Sequence, residues 1–124
     1  MDSILLSIKK LLGISAEYEH FDEDIIMHIN TVFVVLHQLG VGPKEGFSIV
    51  DSEAVWMDFI DPDEDITIAM VKSYIHAKVK LLFDPPLSSA HIEALNRTVN
   101  EFEWRLNVAA DLSTNNEEEE IQNG

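Results

Sequence analysis

Residues 22–40 read DEDIIMHINTVFVVLHQLG, and this stretch decides the fold class. Ile25, Ile26, Ile29, Val32, Phe33, Leu36 and Leu39 recur at three- and four-residue spacings. That period lays one wide apolar stripe along a helix. Asp22 stands where an N-cap belongs, and Glu23 and Asp24 suit the positive end of the helix dipole. Phe21 is placed to staple onto Ile26, and Gly40 is the expected stop. The spacing therefore predicts a helix over about 22–39.

The same logic extends in both directions. Upstream, residues 3–12 (SILLSIKKLL) set Ile4, Leu5, Ile8, Leu11 and Leu12 on one face of a short helix closed by Gly13. Downstream, residues 40–53 form a turn-rich connection with Gly40, Gly42, Pro43 and Gly46. Within it Phe47 to Val50 suit a short extended piece, and Ser52 suits the cap of a short helix through Val55, Trp56 and Phe59. At Asp61-Pro62-Asp63-Glu64-Asp65 the residues fit a helix start, with Asp61 as N-cap, Pro62 in the first turn and Glu64 closing a capping box. A long helix over 65–83 follows. Ile68, Val71, Ile75, Val79 and Leu82 line one face, and Met70, Tyr74, Ala77 and Leu81 the adjacent one. A helix apolar over so much of its circumference sits at the centre of its domain. Asp84-Pro85-Pro86 ends it. Ser88 or Ser89 caps a last helix whose Ile92, Leu95, Val99, Phe102 and Leu106 repeat at three and four, a seam that fades near Ala110.

The expected architecture is all-α: a small bundle of three long helices, a short N-terminal helix, and a short helix or extended piece in the 40–60 connection. Residues 1–110 are expected to form one helical domain, and 111–124 an acidic, disordered tail. With 46% hydrophobic residues, the 124-residue chain has material for a core. It contains no cysteine, so disulfides, thiolate metal sites and cysteine nucleophiles are excluded. No apolar run approaches the roughly 20 residues of a membrane span. The N-terminal stretch lacks the charge-then-apolar order of a secretory signal, so the expectation is a protein that stays inside its cell.

The net charge is −15, which disfavours phosphate binding by the chain as a whole. The charge is uneven. Residues 1–70 hold 14 acids and 3 bases, residues 71–110 hold 4 acids and 5 bases, and residues from Asp111 onward hold 5 acids and no base. Such asymmetry suits head-to-tail contact between copies, although solubility alone also accounts for it.

Motifs that carry chemistry are missing. A calcium loop starting at Asp61 needs glycine at its sixth position and glutamate at its twelfth, where this chain has Ile66 and Lys72. His20, His28, His37, His76 and His91 form no HxxxH or HExxH pair. There is no GxSxG, no P-loop and no dinucleotide glycine pattern. Neither catalysis nor a cofactor nor a metal is expected.

Two features suit an interface instead. Lys72, His76 and Lys80 fall at i, i+4 and i+8 on the central helix, a basic stripe that fits an acidic neighbour or, more plainly, a solvated helix edge. Trp56, Met57 and Phe59 make an aromatic-rich patch, and Trp104, beside Arg105, lies off the seam of the last helix. Aromatics away from a core stripe serve as contact anchors or as lids on the core. These eight residues are the candidate subunit or partner interface.

Four stretches carry a resemblance: DSILLSIKKLLGI at 2–14, DEDIIMHINTVFVVLHQLGVGP at 22–43, VKSYIHAKVKLLFDPP at 71–86 and EWRLN at 103–107. In wording and order the chain resembles the small head–tail connector (adaptor) proteins of tailed phages and of prophages of low-GC Gram-positive bacteria. The resemblance implies a helical bundle that docks under the portal protein and closes into a ring of about a dozen copies, extending the DNA channel. It implies a head-completion or tail protein as the second partner, DNA passing without specific binding, no membrane, and residence at the virion head–tail junction after assembly in the host cytoplasm. The competing expectation is an acidic regulatory module that mimics DNA and sequesters a basic protein.

Overall fold

The computed structural model describes the backbone of residues 2–60 and 65–123, and the side chains of residues 2–60 and 68–112. Five helices form among the described residues: α1 (Ile4–Leu12), α2 (Asp22–Gln38), α3 (Trp56–Phe59), α4 (Asp65–Phe83) and α5 (Ser89–Asn123). No strand forms among them beyond an isolated antiparallel bridge from Ser3 to Val55. The protein is all-α, as the periodicity predicts. Helix α4 packs against α1, α2 and α5, and α1 also meets α2, so α4 is the central element.

Each helix buries most of the stripe its sequence marks, although Leu11 on α1 and Leu82 on α4, both expected on the apolar face, stay about half exposed. From α2 come Ile25, Ile29, Val32, Phe33 and Leu36; from α1, Ile4, Leu5 and Ile8; from α4, Val71, Tyr74, Ile75, Ala77 and Val79. Helix α5 contributes Val99 and Leu106 fully, with Leu95 and Phe102 partly buried. Tyr74 and Lys78 meet Glu103, whereas His76 and Lys80 face His91 and Leu95, so α5 runs antiparallel to α4.

Several helix ends differ from expectation, each for a local reason. Asp22 is the first residue of α2 rather than its cap, and Phe21 takes the cap position, because the Asp22 carboxylate is held by Lys9 at 2.8 Å. Phe21 packs edge-on against Phe83 at 5.3 Å. The short helix α3 is capped not by Ser52 but at Val55, whose N–H donates to the Asp58 carboxylate at 2.9 Å. Ser52 falls inside a turn in which the Glu53 N–H donates to Asp51. The extended piece expected at 47–50 is not a strand; Asn30 on α2 holds Ile49 from both sides, accepting its N–H at 2.8 Å and donating to its carbonyl at 2.9 Å. The start signal at 61–64 lies outside the described residues. Ser88, just before α5, accepts the Ile92 N–H at its carbonyl at 3.0 Å.

The connection closes onto the N-terminus: Ile4 N–H donates to Ala54 and Trp56 N–H to Asp2. Gly42 makes this return possible. Its φ is 96°, and a Cβ there would run into the Phe59 ring. Beyond Ala110, where the apolar seam ends, the α5 backbone continues as helix to Asn123. Glutamate is a good helix former, so loss of the seam ends the packing pattern without ending the helical backbone.

Candidate docking surfaces

The aromatic-rich patch divides on folding. Trp56 and Phe59 stand three apart on a single turn of helix and share its inner face, while Met57 points outward and is half exposed. Trp56 is buried; its indole N–H donates to Ser7 at 3.2 Å, and Lys72 Nζ lies 5.3 Å from the ring centroid. Phe59 joins Phe33 and Phe47 in an aromatic trio with centroids 4.8–5.4 Å apart. The i, i+3 spacing was the signal that places these two inside together.

The basic stripe is one line of α4 in three different settings. Lys72 covers Trp56. His76 is half-buried beside α1; burial first, and then Lys80, hold its imidazole below the usual histidine range, while the Leu11 carbonyl pulls it back. Lys80 pairs with Asp84 at 2.8 Å across the end of the helix. His76 and Lys80 line an open groove of about 460 Å³ with Leu11, Pro86, His91 and Leu95. Stripe and patch therefore meet at one point, Lys72 over Trp56.

Off this line, Tyr74 donates to Glu103 at 2.8 Å and Lys78 approaches the same oxygen at 3.4 Å, joining α4 to α5. Burial, then Glu103, raises the Tyr74 phenol far above its ordinary value.

Trp104 and Arg105 stand on α5. Arg105 pairs within the helix with Glu101 at 2.7 Å. Trp104 is 68% exposed, and Val108 (36%) and Leu112 (59%) continue its line. Other exposed apolar side chains escaped the sequence reading: Met27 and Val34 on the outer side of α2, Val50 in the connection, and Leu87, fully exposed at the α4–α5 corner just after Pro85-Pro86. Periodicity finds helix faces, and says nothing of which residue a corner pushes outward.

Lys9 was missed altogether. It is fully buried, with its ammonium on the Ala16 and Tyr18 carbonyls at 3.2 and 2.8 Å and on Asp22 Oδ1 at 2.8 Å. The Asp22 contact is an ion pair without the direction of a hydrogen bond. This knot ties α1 and the loop after it to the start of α2.

Among the described residues no three His, Asp or Glu side chains gather as metal ligands, and no helix is long and apolar enough to cross a membrane. What fold and side chains define is a small all-α protein whose candidate site is a set of outward anchors spread over several elements. Residues 4–113 match the family described as phage connector protein, and the chain belongs to that family. The resemblance to head–tail connectors read from the four stretches is thereby borne out. No curated protein and no solved structure matches the chain.

Proposed function

We propose that this chain is a non-catalytic head–tail connector subunit that docks beneath the portal protein and closes, with about a dozen copies, into a ring that extends the DNA channel. The observation that carries this reading is the family match over residues 4–113, nearly the whole chain. Its fold supplies what such a part needs. The bundle packs around α4, and Met57, Val50 and Leu87 offer apolar contact points on separate elements. Contacts between unlike faces of successive copies close a ring when the rotation divides the circle. Lys72 and Lys80 carry positive charge on one line of α4, with His76 between them, in a chain of net charge −15, and suit an acidic face of the next copy or of the portal. The same net charge favours a conduit along which DNA slides without sticking. A head-completion or tail protein then seats on the free rim, at the head–tail junction of the virion.

The test is to mix the protein with its cognate phage portal protein, sediment the mixture and image it by negative stain. Co-sedimentation with an added annulus supports the proposal. A protein that ignores portal and instead forms a one-to-one complex with a basic protein overturns it in favour of the sequestering module.

A further inference from the structure

Helix α5 carries an outward apolar line that the bundle does not use. Trp104, Val108 and Leu112 follow one another at i, i+4 and i+8, and all three are exposed. Among the described side chains the last packing position of α5 is Ala110, against Gly40, and the backbone stays helical to Asn123, about 20 Å further. A helical extension of that length is marginal in water without a partner.

We infer that free subunits pair through this face, as an antiparallel α5–α5 dimer whose two-fold axis passes beside Val108. The spacing of the line is what identifies the occupant as a second copy. Counting outward from Val108, Trp104 and Leu112 stand four residues to either side, and Arg97 and Glu119 eleven to either side. Reversing one helix against the other therefore sets Val108 beside its own counterpart and each Trp104 across from a Leu112. It also sets each Arg97 at the level of the partner's acidic 117–120 run. A parallel pair would instead place the two acidic runs side by side and the two Arg97 residues together, so charge selects the antiparallel sense.

The size of the contact fixes its strength. An aromatic side chain brings roughly 150–250 Å². Two tryptophans with two leucines and two valines stay below the ~1,200 Å² of a stable specific interface. The dimer is therefore weak and reversible. A closed two-fold contact cannot propagate into a ring, so it is a resting form that opens when subunits meet their assembly site. The pairing stands independently of the connector reading, whereas its role as a resting form rests on that reading.

The full-length chain is measured by sedimentation equilibrium across a concentration series, together with variants. The apparent mass is expected to climb from 14.0 kDa toward twice that value. Trp104→Glu should remain at the monomer mass at every concentration, with an unchanged midpoint of thermal unfolding for the bundle because its side chain lies outside the core. The chain has no cysteine, so Val108→Cys reports the axis cleanly. Under mild oxidation it should yield a disulfide dimer, and Val50→Cys should not. Arg97→Glu should weaken pairing at least several-fold, and adding Glu119→Arg should restore it. A wild-type chain that stays monomeric, a Val108→Cys protein that does not cross-link, or pairing untouched by Trp104→Glu overturns the inference. Pairing without portal binding would remove the connector reading and leave the dimer; portal binding without pairing does the reverse.

Discussion

Removing Asp22 should cost far more than its position at the exposed start of a helix suggests. Its carboxylate is the only ion-pair partner of Lys9 among the described residues, and Lys9 is fully buried. In Asp22→Ala the ammonium keeps two carbonyls, Ala16 and Tyr18, and loses its anion. Stranding a buried charge costs about 3–5 kcal/mol. The Asp22 side chain retains 24% exposure, so water recovers part of this, and about 2–4 kcal/mol is expected. Lys9→Met removes the charge with its four-carbon stem largely replaced. The two carbonyls belong to an exposed loop and turn to solvent, so the loss should be about 1–2 kcal/mol. In the double variant no charge is left stranded. It should be no less stable than Asp22→Ala alone, giving a coupling of about 1–3 kcal/mol. Urea unfolding followed by far-ultraviolet circular dichroism measures all four proteins, with equal m-values required throughout. Single losses that add to within about 0.5 kcal/mol would refute the reasoning, because they would mean that Lys9 does not depend on Asp22.

Gly42→Ala should destabilise the fold by about 2–4 kcal/mol, since left-handed backbone costs an L-residue about 1–2 kcal/mol and the new methyl meets the Phe59 ring; thermal unfolding reads it as a clear drop in Tm. His76 is held neutral by burial, so the unfolded chain binds its proton more readily; stability present above the ordinary histidine range is lost as pH falls through it, and His76→Gln should flatten that slope in urea titrations between pH 7.5 and 5.5. Leu87→Ser, at a fully exposed corner, should change stability by less than about 0.5 kcal/mol while weakening co-sedimentation with portal, a loss that an unaltered complex would contradict.

How much of this was legible beforehand can be judged residue by residue. The α5 seam turned inward from Leu95 through Val99 and Phe102 to Leu106. The α4 stripe did so from Val71 to Val79, but Leu82 is about half exposed while Leu81 and Phe83 on either side of it pack against the core. The caps were less legible. Asp22 has the right chemistry for an N-cap, and only the arrival of Lys9 from α1 reassigns it. Trp56 looked like an anchor until the N-terminal segment paired with residues 54–56 and closed over it. Of the candidate surface residues, Met57 and Trp104 are outward, Lys72, His76 and Lys80 lie along one line, and Trp56 and Phe59 belong to the interior.

By itself the sequence determined the elements, their apolar faces and the family. These are local properties: a period of 3.6 residues and a proline stop act within a few turns of chain. Only the tertiary structure decided which ionised group is buried, which aromatic is lid and which is anchor, and which side of α5 faces outward. Those outcomes depend on what arrives from distant parts of the chain. A lysine is buried only when a carboxylate and two carbonyls converge on it, and an apolar line such as Trp104, Val108 and Leu112 is exposed only when no other element of the bundle arrives to cover it.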